Sequence, residues 1–213
     1  MKAITLKAGR EKSATRRHPW VFSGAIDKVL GDPSLGDSVE IYSYAGDFLG
    51  MGAYSPSSQI RARFWNFEEK RNIDEEFLSK VLDQAIASRH SRGFDVSDKQ
   101  NAFRLVNAEN DGIPGCIIDK YGPYFSIEIL SAGAEVFREI IFKLLAEKTG
   151  CTGIIERSDS EVRTKEGLPL RKEVAYGNVP TNPVPMNENG IFFDIDLWNG
   201  HKTGYYLDQR DAR

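Results

Sequence analysis

The chain has 213 residues, a formal net charge of −3, 40% hydrophobic residues and 11% aromatic residues. That balance supports a packed core and excludes both a disordered chain and a polyelectrolyte. No apolar run reaches the roughly 18 residues of a membrane span, and MKAITLKAGREKSATRR lacks the apolar core of a secretory signal. The two cysteines, Cys116 and Cys151, form no CxxC pair, so reduced thiols in a cytoplasmic protein are expected.

Residues 1–67 read as all-β. SVEIYSY, DFLGMGAY and IRARFW are short β-branched and aromatic runs between Gly, Pro and Ser clusters. Ala45-Gly46-Asp47 marks a hairpin. Alternation in IRARFW puts Ile60, Ala62 and Phe64 on one face, and Arg61, Arg63 and Trp65 on the other. The simplest closure of so small an all-β unit is a compact barrel.

From Asn72 the apolar period lengthens to about 3.6. Ile73, Phe77, Leu78, Val81, Leu82, Ala85 and Ile86 make one stripe, with Asn72 and Glu75 as a capping box and Gly93 past the end. This helix and the polar GFDVSDKQN predict a linker, giving a barrel at 1–70, a linker helix at 71–98 and a second domain at 99–213. In that domain FRLVNAE, CIIDKY and YFSIEIL read as strands. Val136, Phe137, Ile140, Ile141, Leu144 and Leu145 read as one helix face ending at Gly150. GIIER, MNENGIFFDIDL and TGYYLD supply further strands, for an α+β layer of helix on sheet.

Candidate chemistry concentrates in GREKSATRRHPWVFSGAI. Lys7, Arg10, Lys12, Arg16 and Arg17 face a single acid, Glu11, and His18, Trp20 and Phe22 follow. Cations for phosphates beside rings for bases are the elements of an RNA contact; a solvated basic loop before a buried Trp is the alternative. Arg61 and Arg63 extend the basic footprint if their strand faces that loop. Glu109, Asp111 and Asp119 could hold a metal or do acid/base work, but NDGIPG also suits a plain turn. Arg104 and Glu109 suggest a surface ion pair. SDSEVRTKEGLPL reads as a solvated connection, with Arg157, Arg163 and Lys165 available to a polyanion. Cys116 in an apolar run and Cys151 after a helix end read as inert thiols. No nucleotide-binding glycine loop and no His/Cys metal spacing occur.

KAGREKSATRRHPWVFSGAI, GAYSPSSQIRARFW, RLVNAENDGIPGCIIDKYG, RSDSEVRTKEG and GHKTGYYLDQRDAR occur in this order. Together they resemble the bacterial large-subunit ribosomal RNA cytosine-5 methyltransferases. The resemblance implies an N-terminal PUA domain, an RNA-binding β-barrel, and a central domain of strand-strand-helix-strand-strand type. It also implies a C-terminal Rossmann-like domain that binds S-adenosylmethionine and carries the catalytic cysteine, a domain this sequence lacks. GHKTGYYLDQRDAR resembles the segment leading into it. Neither Cys116 nor Cys151 matches the family nucleophile, so no catalytic residue is carried over. The implied role is binding and positioning of 23S ribosomal RNA for the parent enzyme, with Lys7, Arg10, Lys12, Arg16, Arg17, His18, Trp20, Arg61 and Arg63 on the RNA. Lys202, Thr203, Gly204, Gln209 and Arg210 would border the cofactor or substrate cleft, or else pack against the next domain. No metal, and no cofactor for this chain alone, is expected. A homodimer is compatible with this reading. A standalone RNA-binding adaptor module without catalysis is the alternative.

Overall fold

The computed structural model describes residues 2–68, 70–188 and 190–212, with side chains as far as residue 209. In the first unit six strands run β1 (Ala3–Leu6), β2 (Trp20–Phe22), β3 (Ile26–Leu30), β4 (Ser38–Tyr42), β5 (Phe48–Tyr54) and β6 (Ile60–Asn66). They form one sheet ordered β2-β6-β5-β4-β1-β3. β1 lies parallel to β4 and antiparallel to β3. Ile4, Leu6, Val21, Val39, Ile41, Ala62 and Phe64 fill the space inside the curl. The hairpin at 45–47 forms as expected: Ser43 N–H bonds Asp47 C=O and Gly46 takes a left-handed φ of 95°. The sheet does not close, because β2 and β3 remain at its two edges. β3 is almost wholly exposed, with only Ile26 packed against the interior. A single helical turn, α1 (Lys12–Thr15), interrupts the basic segment.

Helix α2 (Glu75–His90) begins at Asp74, not Asn72: the Asp74 carboxylate accepts from Phe77 N–H at 2.9 Å. It is no free linker. Leu78, Val81, Leu82 and Ala85 are buried against the second sheet and its helix. That sheet comprises β7 (Ala102–Asn107), β8 (Cys116–Tyr121), β9 (Tyr124–Ile129), β10 (Gly153–Ser158) and β11 (Arg171–Gly177), ordered β11-β10-β9-β8-β7. Three strands therefore precede the helical crossover, and β9 and β10 are its parallel pair. The crossover is two helices, α3 (Ala132–Val136) and α4 (Arg138–Thr149), broken at Phe137, so Val136 leaves the core face and is exposed. Gly150, at φ 61°, ends α4 as expected.

α2 and α4 cover one face of this sheet. The hairpin β12 (Val184–Glu188) and β13 (Ile191–Ile195) covers the other, burying Val184, Met186 and Ile195 against Tyr121 and Ile155. The buried Lys120 ammonium donates to Asp98 C=O, Asn101 Oδ1 and Gly122 C=O at 2.5, 2.7 and 2.6 Å, which fixes the 95–101 loop to β8. TGYYLD is not a strand. A bridge between His201 and Gly204 and a 3-10 turn from Leu207 to Ala212 take its place.

The two units touch through α3 and β5. A Cβ on Gly133 would stand 2.4 Å from Ala53 Cβ, so glycine is what permits this approach. Beside it Trp65 of β6 meets Phe77 and Phe137 edge-on, with centroids 6.2 and 5.9 Å away.

Candidate nucleic-acid interface

The β1–β2 connection holds Lys7, Arg10, Lys12, Arg16, Arg17 and His18 exposed on one outer loop. Its path is fixed by backbone bonds: Arg17 N–H to Ala14 C=O and His18 N–H to Ser13 C=O, with Arg17 itself at φ 60°. On β2 the alternation sends Val21 inward and leaves Trp20 and Phe22 37% and 48% exposed. His18, Trp20 and Phe22 form an edge-to-face series with centroids 5.7 and 6.3 Å apart. Trp20 and Phe22 wall a cavity of about 230 Å³ with Arg10, Ser13 and Gly24 on its rim. The Trp20 reading of a buried core residue is thereby corrected. Trp20 is an exposed ring whose indole N–H is held by Glu109 Oε1 at 2.8 Å.

Arg61 and Arg63 do not join this face as expected. The Arg61 guanidinium is tied to Pro56 C=O. Arg63 is buried in the seam between the units, 3.0 Å from Glu166 and 3.7 Å from Glu109. It lies opposite Trp20 in the β2–β6 register, so the two side chains share a face, and both reach Glu109 of the second unit, Trp20 with its ring still exposed and Arg63 buried beneath. Arg17 is partly engaged too, with Glu68 at 2.5 Å. Arg10, Lys12 and Arg16 have no side-chain partner among the described residues.

The three carboxylates proposed for metal or acid/base work point to three different arginines. Glu109 serves Trp20 and Arg63, Asp111 takes a two-pronged bond from Arg89 at 2.9 and 2.5 Å, and Asp119 takes one from Arg104 at 2.8 and 2.9 Å. Arg104 thus pairs with Asp119, not Glu109, and its already high pKa rises further through that bond. Among the described residues no group of three His, Cys, Asp or Glu gathers as a metal site.

SDSEVRTKEGLPL is a largely exposed connection, Lys165 included, but two of its charged side chains, Arg163 and Glu166, are buried. Arg163, on the single turn α5 (Val162–Lys165), is fully buried. It donates to Pro169 C=O at 2.7 Å and to Ile129 C=O, and pairs with Glu135 at 3.0 Å. Arg157 is buried on the carbonyls of Leu197 and Gly200 at 2.9 and 3.2 Å. Glu166 completes the Arg63 pair. None of these roles has a local sequence signal: apart from Pro169, six residues from Arg163, each of these partners lies more than two dozen residues away.

The tail residues divide. Thr203 is buried, its hydroxyl on Asp119 and 3.1 Å from the Tyr121 hydroxyl, and Tyr205 N–H reaches the same Tyr121 oxygen at 3.1 Å. Gly204 packs on Tyr121, where a Cβ would sit 3.3 Å from the ring. Lys202 turns outward to Asp208 at 2.7 Å, and Gln209 is exposed. The Arg210 side chain lies outside the described residues. Burial raises the Tyr121 hydroxyl pKa. Burial also raises both thiols, Cys116 most, which disfavours the reactive thiolate at either position.

The first unit is an open, curled β-sheet with a basic loop and exposed rings at one edge, and residues 4–67 match the family model of the PUA-like domain. The likeness extends well past that domain. Over 99% of its length the chain is 47% identical to "Ribosomal RNA large subunit methyltransferase I" of Aliivibrio fischeri (strain ATCC 700601 / ES114), covering 53% of that protein. It is 50% identical to the protein of the same name from Pseudoalteromonas translucida (strain TAC 125), again over 99% of this chain and 53% of the relative. The chain spans about half the length of the curated relatives it matches. The resemblance carried by the five sequence blocks therefore holds across the whole chain. Among solved structures, "A putative sam-dependent methyltransferase from Streptococcus mutans" superposes with a TM-score of 0.80 over all of this chain and 53% of its own. At 22% identity that likeness speaks for the fold. No helix among the described residues is long and apolar enough to cross a membrane.

Proposed function

We propose that this chain is the RNA-binding and substrate-positioning part of a SAM-dependent 23S ribosomal RNA (cytosine-C5) methyltransferase, and that by itself it does not methylate. The observation that carries the reading is the juxtaposition of Arg10, Trp20 and Phe22 around one open cavity beside a loop of exposed cations. Phosphates bind the exposed Lys7, Arg10, Lys12, Arg16 and Arg17, and a splayed base stacks on the Trp20–Phe22 edge. Arg63 leaves the RNA set; it joins the two units instead, so that RNA held by the first is presented in a fixed orientation to the second. The names of the relatives support ribosomal RNA as the ligand, and the likeness to the Streptococcus mutans protein described as SAM-dependent supports S-adenosylmethionine as the cofactor of the longer protein. Cytosine-C5 transfer needs an activated thiolate; the pKa values of Cys116 and Cys151 move the other way, which supports catalytic incompleteness.

The test is RNA binding across a salt series, with a labelled-methyl transfer assay alongside. Arg16→Glu with Arg17→Glu weakens binding at low salt and flattens the salt dependence, and no methyl transfer occurs. Unchanged affinity in that variant would overturn the basic-face assignment; methylation by the chain alone would overturn its incompleteness. A standalone RNA-binding adaptor is the second reading. The sequence following Arg213 in its gene separates the two, since the enzyme reading requires a strand–glycine loop–helix cofactor motif there.

A further inference from the structure

We infer that a second nucleotide-binding site lies in the second unit, in the cavity of about 310 Å³ between the C-terminal end of α2 and the start of β7. The inference rests on the reading of the chain as an RNA binder and adds where, far along the sequence from Trp20, a further nucleotide is held. Arg89, Arg92, Phe94, Phe103, Arg104 and Asn107 line the cavity, and Leu207 of the tail closes one side.

The chemistry of the walls is unequal. Arg89 spends its N–H groups on Asp111 and on Arg104 C=O, the latter at 2.8 Å. Arg104 spends its own on Asp119, with a long 3.5 Å contact to Asn107 Oδ1. Their planes are therefore held rigid by bonds at their edges, which preorganises them as stacking surfaces and leaves little capacity for new anion contacts. Phe94 and Phe103 lie 5.0 Å apart at 34° and add an aromatic wall. Arg92 differs: it is exposed at the rim and has no side-chain partner among the described residues. The Asn107 amide is only weakly engaged, so it has donors and an acceptor left for a polar edge. Asp208, the one acid on the rim among the described residues, pairs with Lys202 at 2.7 Å. A cavity at the lower end of ligand-pocket sizes, with planar walls, one amide and, among the described residues, one free cation at its mouth, fits a single nucleotide. The base enters against the Phe94–Phe103 wall and the phosphate stays at Arg92.

The experiment titrates the isotope-labelled chain with uridine 5′-monophosphate while backbone amide signals are followed, in parallel with single-stranded RNA binding. The site predicts shifts at Phe94, Phe103 and Asn107 that vanish in Arg92→Glu, a surface change beyond the helix end that leaves the fold intact. RNA affinity should fall about three- to tenfold in the same variant, roughly the loss of one phosphate contact. Absence of those shifts, or equal shifts in the variant, overturns the site whatever the RNA does. If Arg16→Glu with Arg17→Glu weakens RNA binding and Arg92→Glu does not, the basic loop stands and this cavity falls. If the mononucleotide shifts the cavity residues but no RNA binds, the cavity stands and the proposed function falls.

Discussion

The Arg63 guanidinium lies 3.0 Å from the Glu166 carboxylate, and both side chains are nearly withdrawn from water. One belongs to β6 of the first unit and the other follows α5 of the second, so the pair spans the seam. Removing either partner leaves the other charge buried, which costs about 3–5 kcal/mol. Arg63→Met and Glu166→Gln are each expected to lower the urea midpoint strongly. The double variant should lose less than the sum, because no unpaired charge remains between these two positions. Additive losses would show that the two side chains do not depend on each other.

The same seam yields a packing prediction. Gly133 of α3 faces Ala53 of β5 so closely that a new methyl would stand 2.4 Å from the alanine methyl. Gly133→Ala is expected to destabilise by about 1–3 kcal/mol through overpacking, although alanine favours helices elsewhere. Ala53→Gly in the same chain should recover part of that loss. Calorimetric melting of the two single variants and the double variant measures it. No recovery would place the strain somewhere other than this contact.

These contacts mark the limit of what the sequence makes legible. The hairpin at 45–47, the sides of IRARFW and the α2 stripe are local patterns, and all three are recovered in the fold. β1, β3 and β11 were not: β1 and β3 have four and five residues, and the seven of β11 are exposed or half-buried throughout, which leaves little periodicity. The α2 cap lies at Asp74 because Asp74 is placed three residues before the N–H it accepts, while Asn72 is too early. Arg163 looked solvated because its neighbours are charged. Its burial depends on Glu135, Ile129 and Pro169, which only the fold brings together. For the candidate site, the basic loop and rings were visible as a cluster of residue types. That Glu109 orients Trp20, or that Arg63 faces inward, required the two units to meet.

The thiols give a direct chemical test. Burial pushes Cys116 far up and Cys151 in the same direction, with carboxylates near Cys116 adding to its shift. Thiolate, the reactive form, is then scarce at neutral pH. In the native chain Cys116 should resist an aromatic disulfide reagent, half-buried Cys151 should react slowly, and both should react at once in denaturant. Fast labelling of native Cys116 would contradict its burial.

Glu128 on β9 supplies the pH dependence. Burial raises its pKa, the carboxylates of Asp159 and Asp119 add to that rise, and Arg104 and Arg157 oppose it. No hydrogen bond to its carboxylate occurs among the described residues. A carboxyl raised on folding holds its proton more tightly in the native chain than in the unfolded one. Its contribution to stability is therefore fully present below the ordinary glutamate pKa of about 4.3. That contribution is lost as pH rises through the raised native value, because the native state must then bury a charge that water solvates better. Glu128→Gln removes that cost while keeping the shape. The variant should be more stable than the parent near neutral pH, and the difference should shrink towards zero at about pH 3.5, where both chains carry a neutral group. Paired urea titrations at the two pH values measure the difference. A variant less stable at neutral pH would mean that Arg104 and Arg157 outweigh the burial, and that Glu128 belongs to the ion-pair network of Asp119 instead of lying strained beside it.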